Sequence, residues 1–254
     1  MNRLSILFVF IFLINSVYAQ KTKIIAHRGA WKNTETPQNS IASLQAAINQ
    51  KVWGSEFDVH MTKDEILVVN HDNDFYGMDI ATSTYAELLT KQHPNGEKIA
   101  TAEEYLKEGL KQNKTKLIYE LKTNRLGVDK TLKSVELSLA LIKKLKAGKK
   151  VEIIAFSWDA CVKFRSLDKK LKIHYLNGDK SPMELKAANL SGFDYYTGLL
   201  KKNPDWVNDA NKLGLKTNVW TVNTQEDMEY FIKLGLDYIT TDEPELLETV
   251  LSKN

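Results

Sequence analysis

Short apolar runs alternate with longer amphipathic stretches along most of this chain. Buried-strand patterns occur at Ile24 to Ala26, Glu56 to Val59, Leu117 to Lys122, Val151 to Ser157, Lys172 to Asn177, Asp194 to Thr197, Lys216 to Asn223 and Asp237 to Thr241. Between them, helical spacing of apolar residues predicts helices from Ile41 to about Ile48, Ala102 to Leu110, and near 130–146, 160–167, 183–189, 205–213 and 226–234. Asn39-Ser40 reads as a cap of the first helix, and Thr101 with Glu104 as a capping box of the second. Eight short apolar strands, each followed by a helix with one detour, predict a parallel sheet covered outside and closed into a (β/α)8 TIM barrel. An open doubly wound sheet is the alternative. Polar residues at several strand ends, His27, Asp58, Lys122, Asn177 and Asn223, favour the barrel, because a barrel gathers its strand ends at one mouth. The detour, about 61–99, is an expected small insertion after the second strand, with an extra strand at Ile66 to Asn70 leading to His71-Asp72. Its expected job is to bring His71 over the mouth.

The N-terminus follows a different pattern. Arg3, the apolar run Leu4 to Leu13 and the small-residue end Val17-Tyr18-Ala19 predict a signal peptide over 1–19, cleaved after Ala19. The apolar run is too short to span a bilayer core of about 30 Å, and no cysteine follows it for lipid attachment. An exported protein, periplasmic or secreted and without stable membrane insertion, is the expectation. The remaining 20–254 reads as one domain. Without Arg3, 34 basic residues face 32 acidic ones, a net charge of +2 that argues for neither nucleic acid nor an acidic membrane surface as partner. Cys161 stands alone, so no internal disulfide forms. Nothing in the sequence fixes an oligomeric state.

The chemistry concentrates in Gly54 to Asp72. Glu56 and Asp58 lie two apart on a strand and so face the same way. Like charges about 4 Å apart repel by roughly 4 kcal/mol at an effective dielectric of 20, so the pair must take up a proton or recruit a cation. A hard metal ion is the simplest resolution, with Glu120 as a third ligand and His27 and His71 as nearby acid–base groups. Beyond the signal only three arginines occur, Arg28, Arg125 and Arg165. Arg28, at the end of the first strand, suits a phosphate or carboxylate, or else a structural salt bridge. His60, His93 and His174 read as structural or surface residues, Asp72 as a partner that orients His71, and Thr241-Asp242 as a cap for the final helix. Trp220, late on its strand, suits either packing or stacking on substrate.

These residues resemble the glycerophosphodiester phosphodiesterase family: H-R-G at His27 to Gly29, E-F-D-V then T-K-D from Glu56 to Asp64, V-V-N-H-D at Val68 to Asp72, and E-L-K at Glu120 to Lys122. Weaker matches are Trp220 to Asn223 and Thr240 to Pro244. The resemblance implies a barrel that hydrolyses glycerophosphodiesters to sn-glycerol 3-phosphate and an alcohol. It places Ca2+ or Mg2+ on Glu56, Asp58 and Glu120, catalysis on His27 and His71, and phosphate or substrate contacts on Arg28, Lys122 and Trp220. The expected partner is thus a small glycerophosphodiester. Three departures stand out. Pro37-Gln38-Asn39 carries an amide where the family often has glutamate, and Asp64-Glu65 replaces a D-G turn, with no arginine after His71-Asp72. A barrel that binds without turnover, a carboxylate-pair glycosidase and a phosphodiesterase of another substrate class are the competing readings.

Overall fold

A computed structural model describes residues 22–253, so the expected signal peptide lies outside the described residues. The chain runs β1 (Lys23–Ala26), α1 (Ile41–Asn49), β2 (Gly54–Met61), β3 (Leu67–Val69), β4 (Asp74–Phe75), β5 (Met78–Asp79), α2 (Tyr85–Leu88), α3 (Ala102–Gly109) and β6 (Lys116–Leu121). It continues α4 (Val128–Lys144), β7 (Val151–Ala155), α5 (Trp158–Leu167), β8 (Lys172–Tyr175), α6 (Pro182–Ala187) and β9 (Gly192–Tyr196). The last elements are α7 (Thr197–Lys202), α8 (Asp205–Lys212), β10 (Lys216–Trp220), α9 (Gln225–Leu234), β11 (Tyr238–Thr241) and α10 (Pro244–Lys253). Strands β1, β2, β6, β7, β8, β9, β10 and β11 pair in that order, all parallel, and β11 returns to β1. The sheet is a closed eight-stranded (β/α)8 barrel.

Alternation along the strands sorts residues into two cores. Phe57 points outward, stacks on Tyr105 of α3 at 4.3 Å and meets Tyr119 edge-on at 5.2 Å. It belongs to the main apolar layer between barrel and helices. Glu56 and Asp58, on either side, face the interior. There a smaller apolar group of Ile25, Ile118, Ile154, Leu176 and Tyr238 fills the barrel, with Phe156 and Trp220 packed against it. Inside the barrel His174 pairs with Glu152 at 3.2 Å, so this histidine is structural.

The insertion after β2 carries its own core of Val68, Phe75, Ile80, Leu88 and Ile99. β3 runs antiparallel on β2, and Thr84 and Glu87 form a capping box on the short α2. His93 belongs here, bonded to the Tyr76 hydroxyl at 3.1 Å. Helix α7 was not expected. Its six residues follow β9 directly, too short a run to show helical periodicity. No helix among the described residues is long and apolar enough to cross a membrane.

Candidate active site

Glu56 and Asp58 on β2 and Glu120 on β6 meet at the C-terminal mouth, where Asp58 and Glu120 are register partners. All three are buried, and an oxygen from each lies within 4.8 Å of the others. The loop after β1 wraps over them. The Arg28 amide donates to Glu56 Oε2 at 2.8 Å, while Asn39 Nδ2 donates to Asp58 Oδ2 at 2.8 Å and its Oδ1 accepts from the Asp58 amide at 3.0 Å. Arg28 and Asn39 both sit at positive φ, and the glycine between them in this loop, Gly29, has φ +83° with Ser43 filling the space a Cβ would need. Ser40 alone caps α1, accepting from the Ser43 amide, whereas Asn39, expected to share that cap, braces Asp58 instead.

Lys122 reaches back from the end of β6 and pairs with Asp58 at 3.1 Å and Glu120 at 2.7 Å. Burial opposes its charge, but the two carboxylates outweigh burial and raise its pKa. Arg28 Nε lies 3.8 Å from Asp58, and its Nη1 donates to Gln38 at 2.6 Å, so the amide that departs from the family pattern serves as the arginine's anchor. Two cations do not neutralise three carboxylates. Burial, then the charges of Asp58 and Glu120, push the Glu56 carboxyl well above its usual range, and burial and Asp58 push Glu120 to about 7. Asp58 stays low despite burial because Lys122, His71, Asn39 and Arg28 stabilise its anion. Glu56 Oε1 is buried with no hydrogen-bond partner. Three converging oxygen donors, one of them unsatisfied, fit a hard divalent cation.

Both expected histidines line the same cavity of about 130 Å³, together with Arg28, Glu56, Glu120 and Lys122. His27 Nδ1 bonds Asp242 Oδ1 at 2.8 Å; Asp242 also accepts from Trp31 at 3.2 Å and from Asn223 at 2.7 Å. Burial works against its anion, but these donors and the His27 ring hold Asp242 at about 2. Asp242 was expected to cap the last helix; its carboxylate instead orients His27. Only its place after a strand end, seven barrel units on from His27, could have signalled this. His71 Nδ1 bonds Asp72 at 2.7 Å as expected, and His60 Nε2 lies 3.1 Å from the His71 carbonyl oxygen. Trp220 lines the cavity, meets Phe156 edge-on at 5.7 Å and donates from Nε1 to the Asp194 carbonyl at 3.1 Å. A wider cleft of about 580 Å³ opens beside it, sharing Arg28 and His71 and bordered by Trp31 and Tyr76.

Two imidazoles, each with Nδ1 tied to a carboxylate, facing a cation-binding carboxylate cluster beside a guanidinium and an ammonium, make a site suited to hydrolysing a phosphate ester. The sequence profile of the Glycerophosphoryl diester phosphodiesterase family matches residues 27–246. A glycerophosphodiester phosphodiesterase of Caldanaerobacter subterraneus subsp. tengcongensis is 31% identical over 252 residues, covering 92% of this chain and 99% of that protein. Among solved structures, a glycerophosphodiester phosphodiesterase from Parabacteroides distasonis superposes with a TM-score of 0.90 at 45% identity, over 92% of this chain and 98% of that one. An Oleispira antarctica phosphodiesterase in complex with the product sn-glycerol-3-phosphate shares the fold, with a TM-score of 0.78 and 21% identity over 92% of this chain and 98% of that one. The chain belongs to the glycerophosphoryl diester phosphodiesterase family.

Proposed function

We propose that this chain hydrolyses glycerophosphodiesters to sn-glycerol 3-phosphate and an alcohol, with Glu56, Asp58 and Glu120 holding Ca2+ or Mg2+ and with His27 and His71 moving the protons. The carrying observation is the buried carboxylate cluster, with its unsatisfied Glu56 oxygen, two of whose members, Glu56 and Glu120, line one cavity with both histidines. A divalent cation there offsets phosphate charge and lowers the pKa of a hydroxyl beside it. Arg28 and Lys122 stabilise charge on the non-bridging oxygens as it develops. Because Asp242 and Asp72 accept from Nδ1, each imidazole can keep Nε2 free to take or give a proton. One histidine deprotonates the glycerol hydroxyl next to the phosphate, which attacks phosphorus; the other protonates the leaving alcohol, and water then opens the cyclic phosphate. Each proton transfer contributes about 10² to 10⁴ in rate. A substrate lacking that neighbouring hydroxyl is expected to be poor, and equal turnover of it would sink the cyclic route.

Export to the periplasm or medium is part of the same proposal, supported by the N-terminal pattern of Arg3, Leu4 to Leu13 and Ala19. The test of function is release of sn-glycerol 3-phosphate from glycerophosphocholine and glycerophosphoethanolamine with calcium, magnesium or chelator. Metal-dependent release that disappears in His27→Ala and in Glu56→Gln is expected. No release with either metal, from folded protein, would refute the reading.

A further inference from the structure

Asp194 is a buried carboxylate that the chemistry above leaves unused. It lies on β9 between Phe193 and Tyr195, whose rings stack on each other at 4.6 Å in the outer apolar layer, so Asp194 faces the barrel interior. It is 2% exposed, and its Oδ1 has no hydrogen-bond partner. Barrel interiors are ordinarily filled at such positions by branched apolar side chains, and a buried acceptor left unpaired costs stability. The group is not a fourth metal ligand, because the three converging carboxylates are Glu56, Asp58 and Glu120. Nor do the site's cations serve it: Lys122 is held by Asp58 and Glu120, and Arg28 by Gln38. In register beside it, Asn218 donates to Thr240 and also hydrogen-bonds the Asp194 carboxyl, which still leaves Oδ1 without a partner.

What Asp194 does face is the active-site cavity, which it lines together with the apolar side chains Phe156, Leu176 and Trp220. Trp220 is fixed against it through the Nε1 bond to the Asp194 carbonyl. Apolar walls beside an unpaired acceptor suit a short carbon chain that carries one more hydroxyl. The narrow cavity and the 580 Å³ cleft join at Arg28 and His71, so a diester with its phosphate there puts its small glycerol half into the cavity and its variable alcohol into the cleft. We infer that Asp194 is a substrate-binding residue, its free Oδ1 accepting a hydrogen bond from the terminal glycerol hydroxyl, the one farthest from the phosphate. This rests on the glycerophosphodiester reading and adds to it which hydroxyl the enzyme selects for.

The test compares glycerophosphocholine with its propane-1,2-diol analogue, which keeps the hydroxyl next to the phosphate and lacks the terminal one. The metal-loaded enzyme is expected to prefer glycerophosphocholine at least about tenfold in kcat/KM, since a site built for a hydroxyl rejects the molecule without it. Asp194→Leu is expected to lose that preference: glycerophosphocholine turnover falls about tenfold or more while the analogue stays within about threefold. Asp194→Ala carries the same comparison where Asp194→Leu does not fold. An equal fall on both substrates means a structural role and overturns the inference, as does an unchanged preference. Failure of the folded, metal-loaded parent on both substrates instead removes the functional reading beneath it.

Discussion

Replacing Asp242 by asparagine changes one atom and tests how His27 is held. Three donors converge on the Asp242 carboxylate, from His27, Trp31 and Asn223. Asn223 has no freedom to adapt, because its Oδ1 already accepts from the Asp242 amide at 2.9 Å and from Thr241 at 3.2 Å, which leaves its Nδ2 pointing at residue 242. An asparagine there must give its carbonyl to Asn223 and turn its NH2 toward His27. That forces His27 to present a lone pair at Nδ1 and moves the proton to Nε2, the atom proposed to exchange it with substrate. A misplaced proton at one acid–base group costs about 10² to 10³ in kcat, or roughly 3 to 4 kcal/mol at 1.36 kcal/mol per tenfold. Stability carries a second signature. The Asp242 pKa is depressed to about 2 from 3.8, so its stabilisation is present above 3.8 and is lost as pH falls through about 2. That is worth on the order of 2 kcal/mol at neutral pH. Asp242→Asn is therefore expected to be less stable than the parent at pH 7, with the gap closing near pH 2. The assays are sn-glycerol 3-phosphate release, denaturant melts across pH, and nitrogen NMR of the His27 tautomer. A folded variant with kcat within about threefold of the parent and an unchanged tautomer would refute the reasoning.

Asn39→Ala removes both bonds to buried Asp58 and is expected to weaken binding of calcium or magnesium by about 10- to 100-fold in titration calorimetry; unchanged affinity would show that the loop does not set the carboxylate. Gly29→Ala puts a Cβ 2.4 Å from Ser43 Oγ at φ +83°, so a loss of about 2 to 4 kcal/mol, read as a melting point lower by roughly 5 to 15 °C, is expected. Burial lowers the pKa of His71, His60 and His93 below 6.5. Unfolded histidines then bind more protons than folded ones, so the histidines' own share of stability, present above pH 6.5, is lost as the solution is acidified through the folded values, while the raised Glu56 and Glu120 carboxyls act in the opposite sense; a His60 or His93 midpoint at or above 6.5 by proton NMR would contradict the burial argument. Proton NMR should place the His71 midpoint below 6.5, and Asp72→Asn should move it lower still, because the Asp72 bond opposes the shift.

The barrel was legible because its strands are short, apolar and punctuated by polar ends, and burial on both faces leaves little else for such runs to do. The carboxylate pair was legible for a related reason: Glu56 and Asp58 flank Phe57, and period-two alternation puts the ring in the outer core and both acids inside. What escaped the sequence depends on contacts between distant segments. Asn39 and Asp242 both stand one residue from hydroxyl residues at helix starts, where a local capping role explains them cheaply, and nothing local says that one braces Asp58 on β2 and the other His27 at the far end of the chain. Asp194 was read only as the first residue of a strand. A single acid in an aromatic run, Phe193-Asp194-Tyr195-Tyr196, carries no sign of whether it faces water or a cavity until the register of β9 against β10 is known. The three share one property: each is a short polar side chain whose surroundings are set by segments distant in sequence. In this fold, the residues that orient the chemistry are therefore harder to read than those that perform it, because the performers stand in short recognisable motifs at the ends of β1, β2, β3 and β6 while their supports come from wherever the closed sheet brings another strand end to the same mouth.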